Sequence, residues 1–330
     1  MTGLALLCLI TLNACERTVT TVQEVQAPSN CFGCHSDQDT RLVAAEEQYA
    51  RSQHASGENI DRNYSTCVNC HVSEGFVARV TGVELPVSNP TAIHCFTCHA
   101  PHTNSDLSLR ITEPQPLQDG TEFDLGSANI CVACHQSRRN VNTYVVAPVE
   151  LEERWGPHHS VQGDMLIGSN GYEYDFYQYE RTNHRGATSN GCLDCHFAAT
   201  SNYRLGGHSF NMTWEDQEHT AGCLPCHEID AFDDVVRVQT VTDSLVVELR
   251  SLLFNANLID DEDLPLEVTV ADADSAGAVW NFLMAHDDRS EGVHNRKYIQ
   301  GLLESSIQFM QGVPLHRTAA HKEDGFPGTQ

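Results

Sequence analysis

Apolar positions recur with helical spacing mainly towards the C-terminal end of the chain. From Val235 to Leu258, residues Val236, Val238, Val241, Leu245, Val246, Leu249 and Leu253 fall near a 3.6-residue period and predict an amphipathic helix. Ala271 to Ala285 and Lys297 to Met310 predict two more, with Asp260-Asp261-Glu262-Asp263 and Pro265 separating the first from the second. Residues 31–227 are instead punctuated by cysteines, at intervals with room for a short helix and a loop. The widest interval holds an aromatic run, Tyr172, Tyr174, Phe176, Tyr177 and Tyr179, expected to pack in a loop and at cofactor edges. The expected fold is mainly α with extensive loops. A short apolar run, Leu4-Ala5-Leu6-Leu7-Cys8-Leu9-Ile10, is too short to span a membrane and reads as an export signal.

The cysteines change this picture. The word Cys-x-x-Cys-His occurs at Cys31-Cys34-His35, Cys67-Cys70-His71, Cys95-Cys98-His99, Cys131-Cys134-His135, Cys192-Cys195-His196 and Cys223-Cys226-His227. With 14 Cys and 18 His in 330 residues, chance placement gives only about 0.03 occurrences, so six are not accidental. The pattern is that of covalent c-type haem attachment: two thiols bond the porphyrin vinyl groups and the adjacent imidazole ligates iron. Structural zinc would not require His directly after every second Cys, and a redox dithiol would occur once, in a βαβ setting. Six covalently bound haems therefore amount to roughly one per fifty residues, leaving little chain for an independent core. The expectation is one loop-rich body wrapped around a closely packed haem chain, with haem centres about 20 Å apart on average.

Each iron needs a ligand on its other face, and twelve histidines lie outside the motifs. The best six are His54, His102, His158, His184, His208 and His294. His54 could reach back across a haem, Pro101 stiffens the projection of His102, and Gly206-Gly207 permit close approach to a porphyrin beside His208. His159 competes with His158, and His219 with His184. His94 directly precedes Cys95 and is sterically excluded, while His316 and His321 lie in a tail. Met165, Met212, Met284 and Met310 are outcompeted by the surplus of imidazole.

The formal charge of -26, to which twelve propionates would be added, argues against nucleic acid as a partner. It favours other redox proteins or cytochromes, basic or membrane-bound, or a mineral or metal-ion acceptor. Leu12-Asn13-Ala14-Cys15 resembles a lipoprotein box, without the usual Lys or Arg before it, so Cys15 is expected to carry lipid and tether the body to a bacterial membrane. The body would face the periplasm or the cell surface. Twelve of the 14 Cys lie in motifs and the other two, Cys8 and Cys15, in the leader, so none is left for disulfides. The organisation is then a signal peptide at 1–14, a tether at 15–30, a haem-binding region at 31–227, a helical region at 228–311 packed on the haems, and a tail at 312–330.

Three words beside the motifs, Trp155-Gly156-Pro157-His158-His159-Ser160, Gly206-Gly207-His208-Ser209-Phe210 and Gly292-Val293-His294-Asn295, carry a family resemblance. With them the chain resembles the multihaem c-type cytochrome superfamily of pentahaem nitrite reductases, octahaem hydroxylamine-oxidising enzymes and surface or periplasmic electron-transfer cytochromes. The resemblance covers most of residues 31–311 and implies that His158, His208 and His294 are distal ligands. The leading expectation is electron transfer through mostly bis-histidine haems. The competing one is a reductase of nitrite, hydroxylamine or a related small substrate, which needs an exchangeable iron position. Reductase relatives commonly signal it with C-x-x-C-K, which is absent here. A third expectation is a subunit of a cytochrome filament, with the same redox chemistry and a different assembly.

Overall fold

The computed structural model describes residues 40–84, 87–104, 107–228 and 231–312. The expected leader, lipidation site, tether and first motif, and the tail with His316 and His321, lie outside these. The three helices expected near the C-terminus form at Ala231–Asn255, Ala273–Asp288 and Arg296–Met310. The Asp272 side chain caps the second by accepting the Ser275 N–H at 2.7 Å, and Asn295 caps the third through Tyr298 N–H at 3.4 Å. Together they hold most of the largest apolar cluster, in which Leu249, Leu253, Trp280, Phe282, Met284, Tyr298, Ile299 and Leu303 are fully buried. Trp280 places its indole N–H on the Asn170 carbonyl at 2.8 Å, so even the polar end of this side chain is satisfied inside the core.

Ala273–Asp288 departs from the amphipathic expectation. Residues 276–285 are all buried, because the helix is covered by its two neighbours and by the aromatic run. The first helix departs in the other sense: Val236, Val241, Val247 and Phe254 are exposed, so several of its apolar positions lie off the buried face. The aromatic run docks on these helices, with Tyr172 OH on Asp274 at 2.8 Å, Tyr179 OH on Ser305 at 2.8 Å and Tyr177 OH on Glu304 at 2.5 Å. The run packs on these helices through its hydroxyl groups. Met165 and Met284 are fully buried in the same cluster.

The rest of the described chain is short helices and loops, with three two-stranded antiparallel ladders. One of these pairs Val149–Glu150 with Thr269–Val270 and ties the middle of the chain to the helical region. Two smaller apolar clusters lie under the cysteine motifs, one against Cys192 and the other against Cys98, Cys131 and Cys134. The helix Gln162–Ile167 joins the layers, since Met165 enters the main core while Leu166 and Ile167 enter the cluster beneath Cys192. Among the described residues no helix is long and apolar enough to cross a membrane.

Candidate metal centres

Each described motif is a single helical or turn-like step. Val68–His71, Cys95–Cys98 and Cys192–His196 are helical, and the N–H groups of His99, His135 and His227 each donate to the carbonyl of their first cysteine at 2.9 Å. One turn puts the first Cys, second Cys and His at i, i+3 and i+4, on one face, so two thiols and an imidazole project together. All fifteen motif residues described line one continuous crevice of about 1940 Å³. That exceeds the range of about 300–1,000 Å³ usual for a single ligand pocket.

Across this crevice each of the five described motif imidazoles faces a second imidazole. His71 faces His158 with ring centroids 6.3 Å apart, His99 faces His208 at 6.4 Å, and His135 faces His54 at 6.0 Å. His196 faces His294 at 6.3 Å and His227 faces His184 at 6.2 Å. Two imidazoles bound trans to one metal ion, each about 2.0 Å from it through a ring nitrogen, would have centroids about 6.3 Å apart. The five separations cluster at that value. The adjacent rings of His158 and His159, at 5.5 Å, fall short of it. Among the described residues no three His, Cys, Asp or Glu side chains converge as a chelating group.

Hydrogen bonds through Nδ1 orient several of these rings. His99 is held by the Leu107 carbonyl at 2.7 Å, His196 by Phe210 at 3.0 Å and His184 by Val293 at 3.0 Å. His135 meets Gln162 Oε1 at 3.2 Å, and His294 meets the Asp288 carboxylate at 2.7 Å. A metal needs the neutral ring with a free lone pair. Burial supplies it, pushing His54 and His158 down to about 4 and lowering His71, His135, His184, His196 and His208. At His294 burial acts the same way but the Asp288 carboxylate outweighs it, so its pKa is raised. The motifs also lie within electrostatic reach of one another. The thiols of Cys70 and Cys134 interact, as do those of Cys131 and Cys192, while Cys131 senses Cys98 and Cys195 senses Cys223 and Cys226.

The fold is shared with a known cytochrome. The crystal structure of the outer cell wall cytochrome OcwA matches this chain with a TM-score of 0.54 at 18% identity, over 80% of this chain and 50% of that one. The chain thus spans about half the length of OcwA. No protein-family model and no curated protein matches the sequence.

Of the six histidines expected opposite the motifs, the structure brings His54, His158, His184, His208 and His294 each to face one. His102 sits on the short helix Pro101–Asn104, its ring 5.6 Å from Phe96; the remaining motif, Cys31-Cys34-His35, lies outside the described residues. His159 turns instead to Asp287 at 3.0 Å, and His219 is buried beside the Cys195 and Ala198 backbone. His94 caps the third motif's helix by accepting the Phe96 N–H at 3.3 Å, a role its position before Cys95 could have signalled. The glycines before His208 closely approach other parts of the chain: a Cβ on Gly207 would lie 2.4 Å from Gln48 Oε1, and one on Gly206 would lie 2.2 Å from the Ala198 carbonyl. Gln48 accepts the His208 N–H at 3.0 Å, so the helix Thr40–Tyr49 fixes this loop. Neither Gln48 nor Asp288 was visible as a site residue in the sequence, because neither belongs to a motif.

Proposed function

We propose that the chain is a hexahaem c-type cytochrome that carries electrons between exported or membrane-associated redox partners. The observation that carries the proposal is the set of five imidazole pairs, each spaced for one iron between two nitrogen donors. The shared fold with OcwA supports it. Bound haem supplies reversible one-electron exchange at iron. The chain's own residues would anchor it through paired thiols, hold an imidazole on each face and leave little room for a substrate at the metal. His35 and His102 make up the sixth site in this proposal.

The neighbouring thiols support a branched path. The fourth motif touches the second through Cys134 and Cys70, the fifth through Cys131 and Cys192, and it senses the third through Cys98. The fifth leads on to the sixth. Haems held at these positions would have near neighbours to exchange electrons with, and the fourth would be the junction. The charge of -26 favours basic partner surfaces. Lipid on Cys15 would hold the body at a membrane, facing the periplasm or the cell surface as the outer cell wall location of OcwA suggests.

Intact mass of the matured protein should give six haems, and electron paramagnetic resonance of the oxidised form should give only low-spin iron. Dye-coupled assays with nitrite and hydroxylamine should give no substrate-dependent turnover. A stoichiometric high-spin haem with turnover on the order of 1–1,000 per second would replace this reading with the reductase.

A further inference from the structure

Among the imidazoles that face one another in pairs, and whose Nδ1 meets a hydrogen-bond partner, one differs in what lies behind it: unlike His159, which rests on Asp287 but faces no motif ring, His294 is paired and is backed by a carboxylate. His99, His184 and His196 rest on backbone carbonyls and His135 on an amide oxygen, whereas His294 places Nδ1 2.7 Å from the Asp288 carboxylate. Asp288 is buried, and it is the last residue of the helix Ala273–Asp288. Both circumstances oppose a carboxylate there: burial removes its hydration, and the helix C-terminus already carries partial negative charge. The Ser290 hydroxyl and the His294 ring are its hydrogen-bond partners, and the Ser290 hydroxyl also receives the His294 backbone N–H at 3.2 Å. The turn from the second helix to the third is thus built so that a buried anion orients one ring.

We propose that Asp288 is a positioning residue that lowers the reduction potential of the centre formed by His196 and His294, an inference that rests on the haem reading above. A carboxylate accepting the Nδ1 proton makes the imidazole a stronger donor through its other nitrogen. The stronger donor favours the oxidised iron, with its extra positive charge, over the reduced one. A carbonyl or amide oxygen carries no net charge and does this less. The centre concerned adjoins the junction motif through Cys192 and Cys131, so its potential governs whether electrons move on towards the sixth motif.

The test is a spectroelectrochemical titration of the full-length, haem-loaded protein with Asp288→Asn and Asp288→Glu. Asp288→Asn keeps a hydrogen-bond acceptor and removes the charge. It should move one reduction step in the positive direction by at least tenfold in equilibrium constant, about 59 mV for a one-electron couple. The other steps and the low-spin spectrum should stay unchanged, and Asp288→Glu should restore part of the shift. A full haem complement with every step unmoved in Asp288→Asn overturns the inference alone. Absence of covalent haem by mass overturns the functional reading and this inference with it. If Asp288→Asn does not mature, the wild-type oxidised spectrum decides: one low-spin signal with a narrowed g spread supports the inference, and uniform g values overturn it.

Discussion

Replacing Asp164 by Asn tests how the fourth motif is seated. Asp164 is fully buried in the helix Gln162–Ile167, whose Gln162 meets His135 and whose Gly163 N–H donates to the His135 carbonyl at 2.9 Å. One of its oxygens accepts the Ser137 N–H at 2.7 Å and the other has no hydrogen-bond partner among the described residues. Burial outweighs the Ser137 hydrogen bonds and raises the carboxyl from 3.8 to about 7. Between those values the folded chain keeps a proton that the unfolded chain has lost. The contribution to stability is therefore fully present below about 3.8 and is lost as pH rises through 7. At about 1.36 kcal/mol per pH unit, the loss by pH 8 is up to about 4 kcal/mol. Asparagine keeps an acceptor for Ser137 and does not titrate. Guanidinium unfolding followed by circular dichroism from pH 4 to pH 8 should show Asp164→Asn gaining on the wild type by a few kcal/mol as pH rises, with the effects of other titrating groups cancelling in the difference. A wild-type-to-variant difference that is constant over this range would refute the argument.

Two further outcomes are expected. Gly277→Ala should destabilise by about 1–3 kcal/mol in the same unfolding assay despite the better helix propensity of Ala. The reason is that the new Cβ would stand 2.1 Å from Tyr172 Cδ1; an unchanged or higher stability would mean that Tyr172 is not seated there. Cys15→Ala should release the protein from membranes to the soluble fraction, and unchanged partitioning would remove the lipid anchor from the account.

The motifs were legible because their chemistry is local. Cys-x-x-Cys-His needs only one helical turn to project its three side chains together, and the three C-terminal helices announce themselves by periodicity and by the caps Asp272 and Asn295. Histidines such as His54 and His294 could be singled out by count and context. What the sequence could not supply was the pairing. His54 faces His135 of the fourth motif, and His208 reaches back to His99 of the third. Such matches follow no order along the chain, because they depend on how distant segments pack. His158 rather than His159 faces His71 because Asp287, at the far end of another helix, holds the latter. Tertiary packing also decided that the aromatic run covers the second C-terminal helix and that Gly207 gives way to Gln48. The turn between the second and third helices decided that Asp288, six residues before His294, meets that ring, since a sequence separation of six does not by itself set which way two side chains point.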